Sequence, residues 1–240
     1  MTGMARFTMP DTLPQGEEKV EAVRTMFDAI APRYDMVNRI MTVGMDVRWR
    51  RRTVRSLCLP AGATVLDLAC GTGDLCRELR AHRLAPIGVD LSYGMLAVAR
   101  TDAPLVHGDA LRLPVPDGSV DGITCGFALR NFESLPPFFT ELARVTRPGG
   151  RIALLEVAEP PNRFLRWGHG VYFGKVVPVV GGLLSDPAAY RYLPRSVAYL
   201  PPPATMLDQL ATAGFAGVER TLLSVGIAQL VTARRRPEAP

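Results

Sequence analysis

The sequence predicts an α/β fold: a mainly parallel, doubly wound sheet of seven strands, covered by helices on both faces and closed by an antiparallel hairpin. Three observations predict it. Short β-rich runs alternate with helical patterns from residue 64 onward, as in βαβ units. The first run, 64–69, leads directly into Gly71-Thr72-Gly73, a tight turn that opens a helix. Two further β-rich runs, 217–224 and 227–232, are separated by only a short turn and read as the closing hairpin.

The elements follow in order. Residues 1–16 carry Pro10, Pro14 and Gly16 and read as a flexible arm. In 17–30, Val20, Val23, Phe27 and Ile30 recur at intervals of three and four, which predicts a helix ending before Pro32. A short helix at 37–41 is closed by Gly44, and a third at 46–57 starts at Asp46 as N-cap. Residues 17–59 therefore read as a helical cap ahead of a domain at 60–235. Inside the domain, strands are expected at 64–69, 86–90, 105–107, 120–125 and 151–157, the last introduced by Pro148-Gly149-Gly150. Helices are expected from the glycine turn through Leu79, then at 92–100, 135–146 and 204–213. An insertion at about 160–203 contains a lipophilic stretch, 164–184. It includes Arg166, His169, Lys175, Pro178 and five glycines, which argues against a membrane-spanning helix.

Composition bounds the function. Of 240 residues, 48% are hydrophobic, enough for a sizeable core and inconsistent with a mainly disordered or collagen-like chain. The net charge of +5 is mild, and Lys19 and Lys175 are the only lysines. Such an arginine bias fits a GC-rich genome better than a nucleic-acid surface. Cys58, Cys70, Cys76 and Cys125 form no CxxC pair and have no histidine at ligand spacing, so no metal site is expected. Four scattered thiols and the lack of a leader-like apolar run in 1–15 suggest a cytoplasmic protein.

The chemistry starts at Leu66-Asp-Leu-Ala-Cys-Gly-Thr-Gly-Asp74. Gly71 and Gly73 let the backbone approach a ligand, and the following helix offers free N–H groups. A dinucleotide fingerprint needs a third glycine at position 76, which is Cys76. Asp67, four residues before the first glycine, disfavours a pyrophosphate and favours an ammonium group. Both features suit S-adenosylmethionine. Asp90, ending the second strand, suits a pair of ribose hydroxyls. Asp109 and Ala110, after the third strand, are positioned for an adenine edge. Asp90 alone also reads as a helix cap, but the three elements in order define a class I S-adenosylmethionine-dependent methyltransferase (Rossmann-like) fold.

The chain resembles the ubiquinone/menaquinone-biosynthesis C-methyltransferases, which methylate a ring carbon of a prenylated quinol. The resemblance covers most of the sequence. It is carried by APRYDMVNR near the start, ALRNF after the fourth strand and AYRYLPRSV in the insertion. It implies that Thr72, Asp90, Asp109 and Ala110 hold S-adenosylmethionine. Gly126 stands where the family often has serine, so only its backbone is implicated. The last hairpin departs from the family: LLSVGIAQL stands where a pattern like LTGGIVALH is common.

Methylating carbon needs electron density on the ring. Ionising a phenolic hydroxyl of pKa ~10 at pH 7 costs roughly 4 kcal/mol, and one cation ~4 Å away supplies about as much at an effective dielectric near 20. Arg130 is the candidate cation and Asn131 a candidate to orient a ring oxygen; the competing reading pairs Arg130 with a neighbouring carboxylate. Tyr34 and Asp35 are candidate proton acceptors, with packing and helix capping as the structural readings, and Asn38 lies beside them in the cap. Tyr190, Tyr192 and Arg195 are candidates to line the ring pocket.

Under this reading the partner is a lipophilic quinol, held by the apolar insertion and drawn from the inner face of the membrane by peripheral contact. Arg48, Trp49, Arg50, Arg51, Arg52 and Arg55 read either as contacts to anionic headgroups or as a solvated face, since all six cannot share one narrow stripe. Arg234 to Arg236 read as a soluble tail. A homodimer stays open. Demethylmenaquinol and a ubiquinol precursor are both compatible, as is another phenolic metabolite. A nucleic-acid methyltransferase is disfavoured because Gly126-Phe-Ala-Leu-Arg130 replaces the Asn/Asp-Pro-Pro-aromatic motif. A non-enzymatic quinone-binding role is disfavoured by the intact glycine, Asp90 and Asp109 positions.

Overall fold

The computed structural model describes residues 14–237 apart from 178, 180, 181, 183–188, 190, 191, 193 and 194. Three helices come first: α1 (Gly16–Ile30), α2 (Tyr34–Met41) and α3 (Met45–Ser56). Pro32 breaks α1 from α2 within a 3₁₀ turn, Ala31–Arg33. Asp46 does not cap α3. Gly44, at φ +73°, takes that position, and Asp46 turns inward to accept a bond from the Thr42 hydroxyl and to pair with Arg50.

Strands and helices then alternate as β1 (Thr64–Leu68), α4 (Asp74–Ala81), β2 (Ala85–Asp90), α5 (Tyr93–Ala97), β3 (Leu105–His107), β4 (Val120–Gly126), α6 (Leu135–Val145) and β5 (Thr146–Val157). The chain continues through α7 (Arg163–Val171), α8 (Pro203–Thr212), β6 (Phe215–Leu223) and β7 (Ala228–Arg235). The seven strands form one sheet in the order β3-β2-β1-β4-β5-β7-β6. The first five are mutually parallel, and β7 runs antiparallel to both neighbours.

Central strands of such a sheet are apolar on both sides because helices cover both faces. Val65, Leu66 and Leu68 of β1 are fully buried. Phe138, Phe139 and Leu142 of α6 fill one face, while Trp49 and Val54 of α3 and Leu57 just after it fill the other. The third cap helix is thus also part of the sheet's covering layer.

Several boundaries differ from expectation. α5 ends at Ala97, well short of Arg100. β5 begins five residues early because Thr146 pairs with Val120 before the Pro-Gly-Gly bulge, and Arg151 then pairs with Gly122. β7 runs to Arg235, so the expected tail is partly structural: Arg235 donates to the carbonyls of Ala143 and Gly214.

Strand order reverses between β1 and β4, which leaves a crevice at their carboxyl ends. The N-terminal helices close over it. Asp28 of α1 accepts hydrogen bonds from the Ser92 hydroxyl (2.6 Å) and the Gly94 amide (2.8 Å) at the start of α5. Lys19 is buried over the Tyr199 ring, its Nζ 3.7 Å from the ring centroid, and donates to the Phe132 carbonyl; burial brings its pKa down to about 8. A Cβ at Gly94 would lie 2.8 Å from the Asp28 Cα, so this contact requires glycine. Gly94→Ala is expected to cost ~1–3 kcal/mol by overpacking, read as a lower melting temperature in calorimetry. Unchanged stability would mean that α1 does not pack here.

Candidate active site

Two cavities occupy the carboxyl edge of the sheet. The first is lined by Gly71, Asp90, Asp109, Ala110 and Gly126 from the loops after β1 to β4, and is roofed by Val23 and Phe27 of α1. Its floor is a turn in which Ala69, Gly71 and Gly73 have φ of +51°, +55° and +84°. Asp90 is held by the amides of Gly71 (2.7 Å) and Ser92 (2.8 Å). Each of its oxygens keeps a lone pair for a diol, and burial raises its pKa. Asp109 accepts from the Leu111 amide at 2.9 Å and also borders the cavity. The cap of α5 is Ser92, whose hydroxyl accepts from the Met95 amide. A cavity with a paired-hydroxyl acceptor, a second carboxylate and an apolar roof fits S-adenosylmethionine.

Three residues expected at this site do other work. Asp67 is fully buried inside the sheet and is not in the cavity wall. It accepts from Thr124, its partner on β4, at 2.8 Å and from the Cys76 thiol at 3.4 Å. Desolvation pushes its pKa up to about 7, so it is a poor partner for an ammonium group. Thr72 gives its hydroxyl to Asp35 of α2. Gly73 makes room for α4 against the loop before β3, since a Cβ there would lie 2.6 Å from the Thr101 side chain.

The second cavity, of about 560 Å³, lies between α2, α3, α7 and the hairpin turn. Tyr34, Asn38, Thr42, Arg130, Glu159, His169 and Tyr172 are its polar members, and Met41, Trp49, Phe164 and Ile227 are among its apolar ones. Tyr34 and Phe127 belong to both walls, so the two cavities meet there. Phe127 sits at φ +60°, a costly conformation for an aromatic residue. Its amide bonds the Leu155 carbonyl at 2.7 Å and its ring centroid is 6.1 Å from that of Trp49. Burial raises the Tyr34 phenol pKa.

Arg130 reaches the cavity, but not as an uncompensated cation. It pairs with Glu156, a fully buried residue of β5, and also donates to the Phe127 carbonyl (2.8 Å) and the Ser196 hydroxyl (3.1 Å). The pairing reading therefore replaces the free-cation reading, because a guanidinium buried here requires a counter-charge. Arg130 braces the strained Phe127 turn. Asn131 borders the first cavity and accepts from the Tyr192 hydroxyl at 3.2 Å, so it does not face a ring in the second. Asp35 lies outside both walls, bonded to Thr72. Tyr192 is buried in the cap core beside Met26 and Val37, where desolvation raises its pKa. Arg195 is exposed and borders neither cavity. Tyr190 lies outside the described residues.

Sequence reasoning passed over two residues. In the sequence His169 stands out only as a polar interruption of the lipophilic stretch, yet it lines the larger cavity, where burial lowers its pKa. A lone histidine in an apolar, glycine-rich run was the available signal. Glu156 ends a strand among apolar neighbours, and only the fold reveals Arg130 beside it.

A profile of the ubiE/COQ5 methyltransferase family matches residues 15–235. The chain belongs to this family. It is an S-adenosylmethionine-dependent methyltransferase. The demethylmenaquinone methyltransferase of Roseiflexus castenholzii is 41% identical over 235 residues, covering 94% of this chain and 98% of that protein. The Thermus thermophilus demethylmenaquinone methyltransferase is 43% identical over 215 residues, covering 85% and 97%. Phosphoethanolamine N-methyltransferase 2 of Haemonchus contortus, solved with S-adenosyl-L-methionine, shares the fold at a TM-score of 0.58 and 14% identity, over 79% of this chain and 52% of that one.

The ion pair makes a stability prediction. Arg130→Met or Glu156→Leu alone is expected to destabilise this methyltransferase by roughly 3–5 kcal/mol, since each strands a buried charge. The double variant is expected to recover most of that loss in urea titrations. Additive losses would show that the two side chains are not coupled.

Proposed function

We propose that the protein methylates a ring carbon of a prenylated quinol, most simply converting demethylmenaquinol to menaquinol. The observation that carries this reading is the meeting of two unlike cavities at Tyr34 and Phe127, one suited to a nucleoside and the other to a lipophilic ring. The names of the relatives support the substrate class. The hairpin segment that departs from the family pattern supplies Val225 and Ile227 to the larger wall. That segment is therefore where selection between a naphthoquinol, a ubiquinol precursor and another phenol would be set.

S-adenosylmethionine, when bound, supplies a methyl group activated on a sulfonium. Gly71, Asp90, Asp109 and Ala110 would hold its nucleoside part. Tyr34 and Asn38 hydrogen-bond the ring oxygens, and alignment across the Tyr34–Phe127 junction lowers the barrier by several kcal/mol. His169 accepts the ring proton. An imidazole of pKa below 6.5 stands more than 3 units under a phenol, so holding a phenolic proton would cost it roughly 4 kcal/mol or more. The proton on the methylated ring carbon is far more acidic, because losing it restores aromaticity. The prenyl tail gains ~0.8 kcal/mol per buried CH₂ along the apolar wall and α7. No helix among the described residues is long and apolar enough to cross a membrane.

Purified protein given labelled S-adenosylmethionine and reduced demethylmenaquinone is expected to label the quinol. Labelling of a ubiquinol precursor or another phenol, with none of demethylmenaquinol, would contradict the substrate assignment. For His169→Asn, kcat is expected to fall ~10²-fold or more. In the parent enzyme burial keeps the imidazole neutral to lower pH, so the acid limb of kcat should lie below pH 6.5 and flatten in the variant. An unchanged profile would assign the proton to another group.

A further inference from the structure

On the face of the sheet beside α3 lies a groove of about 760 Å³ that neither the cofactor nor the quinol uses. Arg48, Arg51, Arg52 and Arg55 occur at i, i+3, i+4 and i+7 and form one wall, while Trp49 and Arg50 turn inward. The arginine segment thus splits into a buried face and a solvent stripe. Arg151 and Arg234 come from β5 and β7, and Glu219 is the one acidic residue of the lining. This excess of five positive charges equals the net charge of the whole chain. Among the described residues, Arg48, Arg52, Arg55 and Arg151 form no ion pair. Like charges at these helical spacings repel one another, and an anionic ligand would relieve that repulsion.

The groove and the quinol cavity share two structural elements. Both are built on α3, with Met45 and Trp49 serving the cavity and Arg48 to Arg55 the groove. Both also use the closing hairpin, where Val225 and Ile227 border the cavity and Thr221 and Leu230 the groove. In the cavity wall Val43, Phe164 and Val225 are 77%, 79% and 66% exposed, and Trp167 of α7 is 75% exposed. We propose that this groove seats the phosphates of anionic phospholipid headgroups, so that α3 lies on a bilayer while the apolar rim enters it and receives the quinol. The proposal rests on the reading of the substrate as a lipophilic quinol. An apolar rim and a polybasic stripe are the two signals that stable peripheral attachment needs.

The test is flotation of the full-length protein with neutral phosphatidylcholine vesicles, and with vesicles containing phosphatidylglycerol, at two salt concentrations. The expected result is salt-sensitive binding to anionic vesicles only. The triple variant Arg48→Gln, Arg52→Gln, Arg55→Gln should bind at least ~10-fold more weakly. The matching lysine variant should keep binding, which separates charge from folding. All of these should methylate a short-tailed, water-soluble quinol at the parental rate. That assay fails if the substrate reading is wrong, whereas flotation fails if the groove reading is wrong. Equal binding to neutral vesicles, undiminished binding by the glutamine variant, saturation by inorganic phosphate without vesicle preference, or retention of RNA in place of vesicles would each overturn the proposal.

Discussion

The active region depends on a clasp between the N-terminal helices and the carboxyl edge of the sheet. Asp28 fastens α1 to the start of α5, and Asp35 fastens α2 to the glycine turn through Thr72. Without these bonds the crevice at the strand-order reversal would be an open groove. With them, α1 roofs the nucleoside cavity and α2 contributes Tyr34 and Asn38 to the ring cavity. The carboxylates of the cap are thus constructive elements.

The same logic governs Arg130. A cation placed beside a phenol is an economical way to raise ring nucleophilicity, but a guanidinium buried this deeply cannot stay uncompensated. Glu156 neutralises it, and the pair acts through geometry, holding the carbonyl of Phe127 and so fixing the partition between the cavities. Backbone strain at Phe127 persists because bonds on both sides of the residue determine its position.

Much of this architecture was legible in the sequence. Alternating β-rich and helical runs predicted the parallel sheet, and Gly71, Asp90 and Asp109, each read as lying after a strand, are gathered by the fold in one cavity. Side-chain roles were less legible. Asp67 looks like a ligand in a linear pattern, yet register against Thr124 turns it into the sheet interior. Tyr192 lies in a segment specific to the family but serves the cap core. Arg130 and Glu156 are 26 residues apart, and only parallel pairing of β4 with β5 brings them together. The arginine segment of α3 could not be sorted until the helix showed which residues its buried face claims.

The central claim is that methyl donor and ring meet across Tyr34 and Phe127. A crystal structure with S-adenosylhomocysteine and a short-tailed naphthoquinol measures this directly. The expected result is the thioether sulfur in the Asp90 cavity and the ring in the His169 cavity, facing each other through the gap between Tyr34 and Phe127. Both ligands on one side of that gap, or a ring bound away from His169 and Asn38, would contradict it.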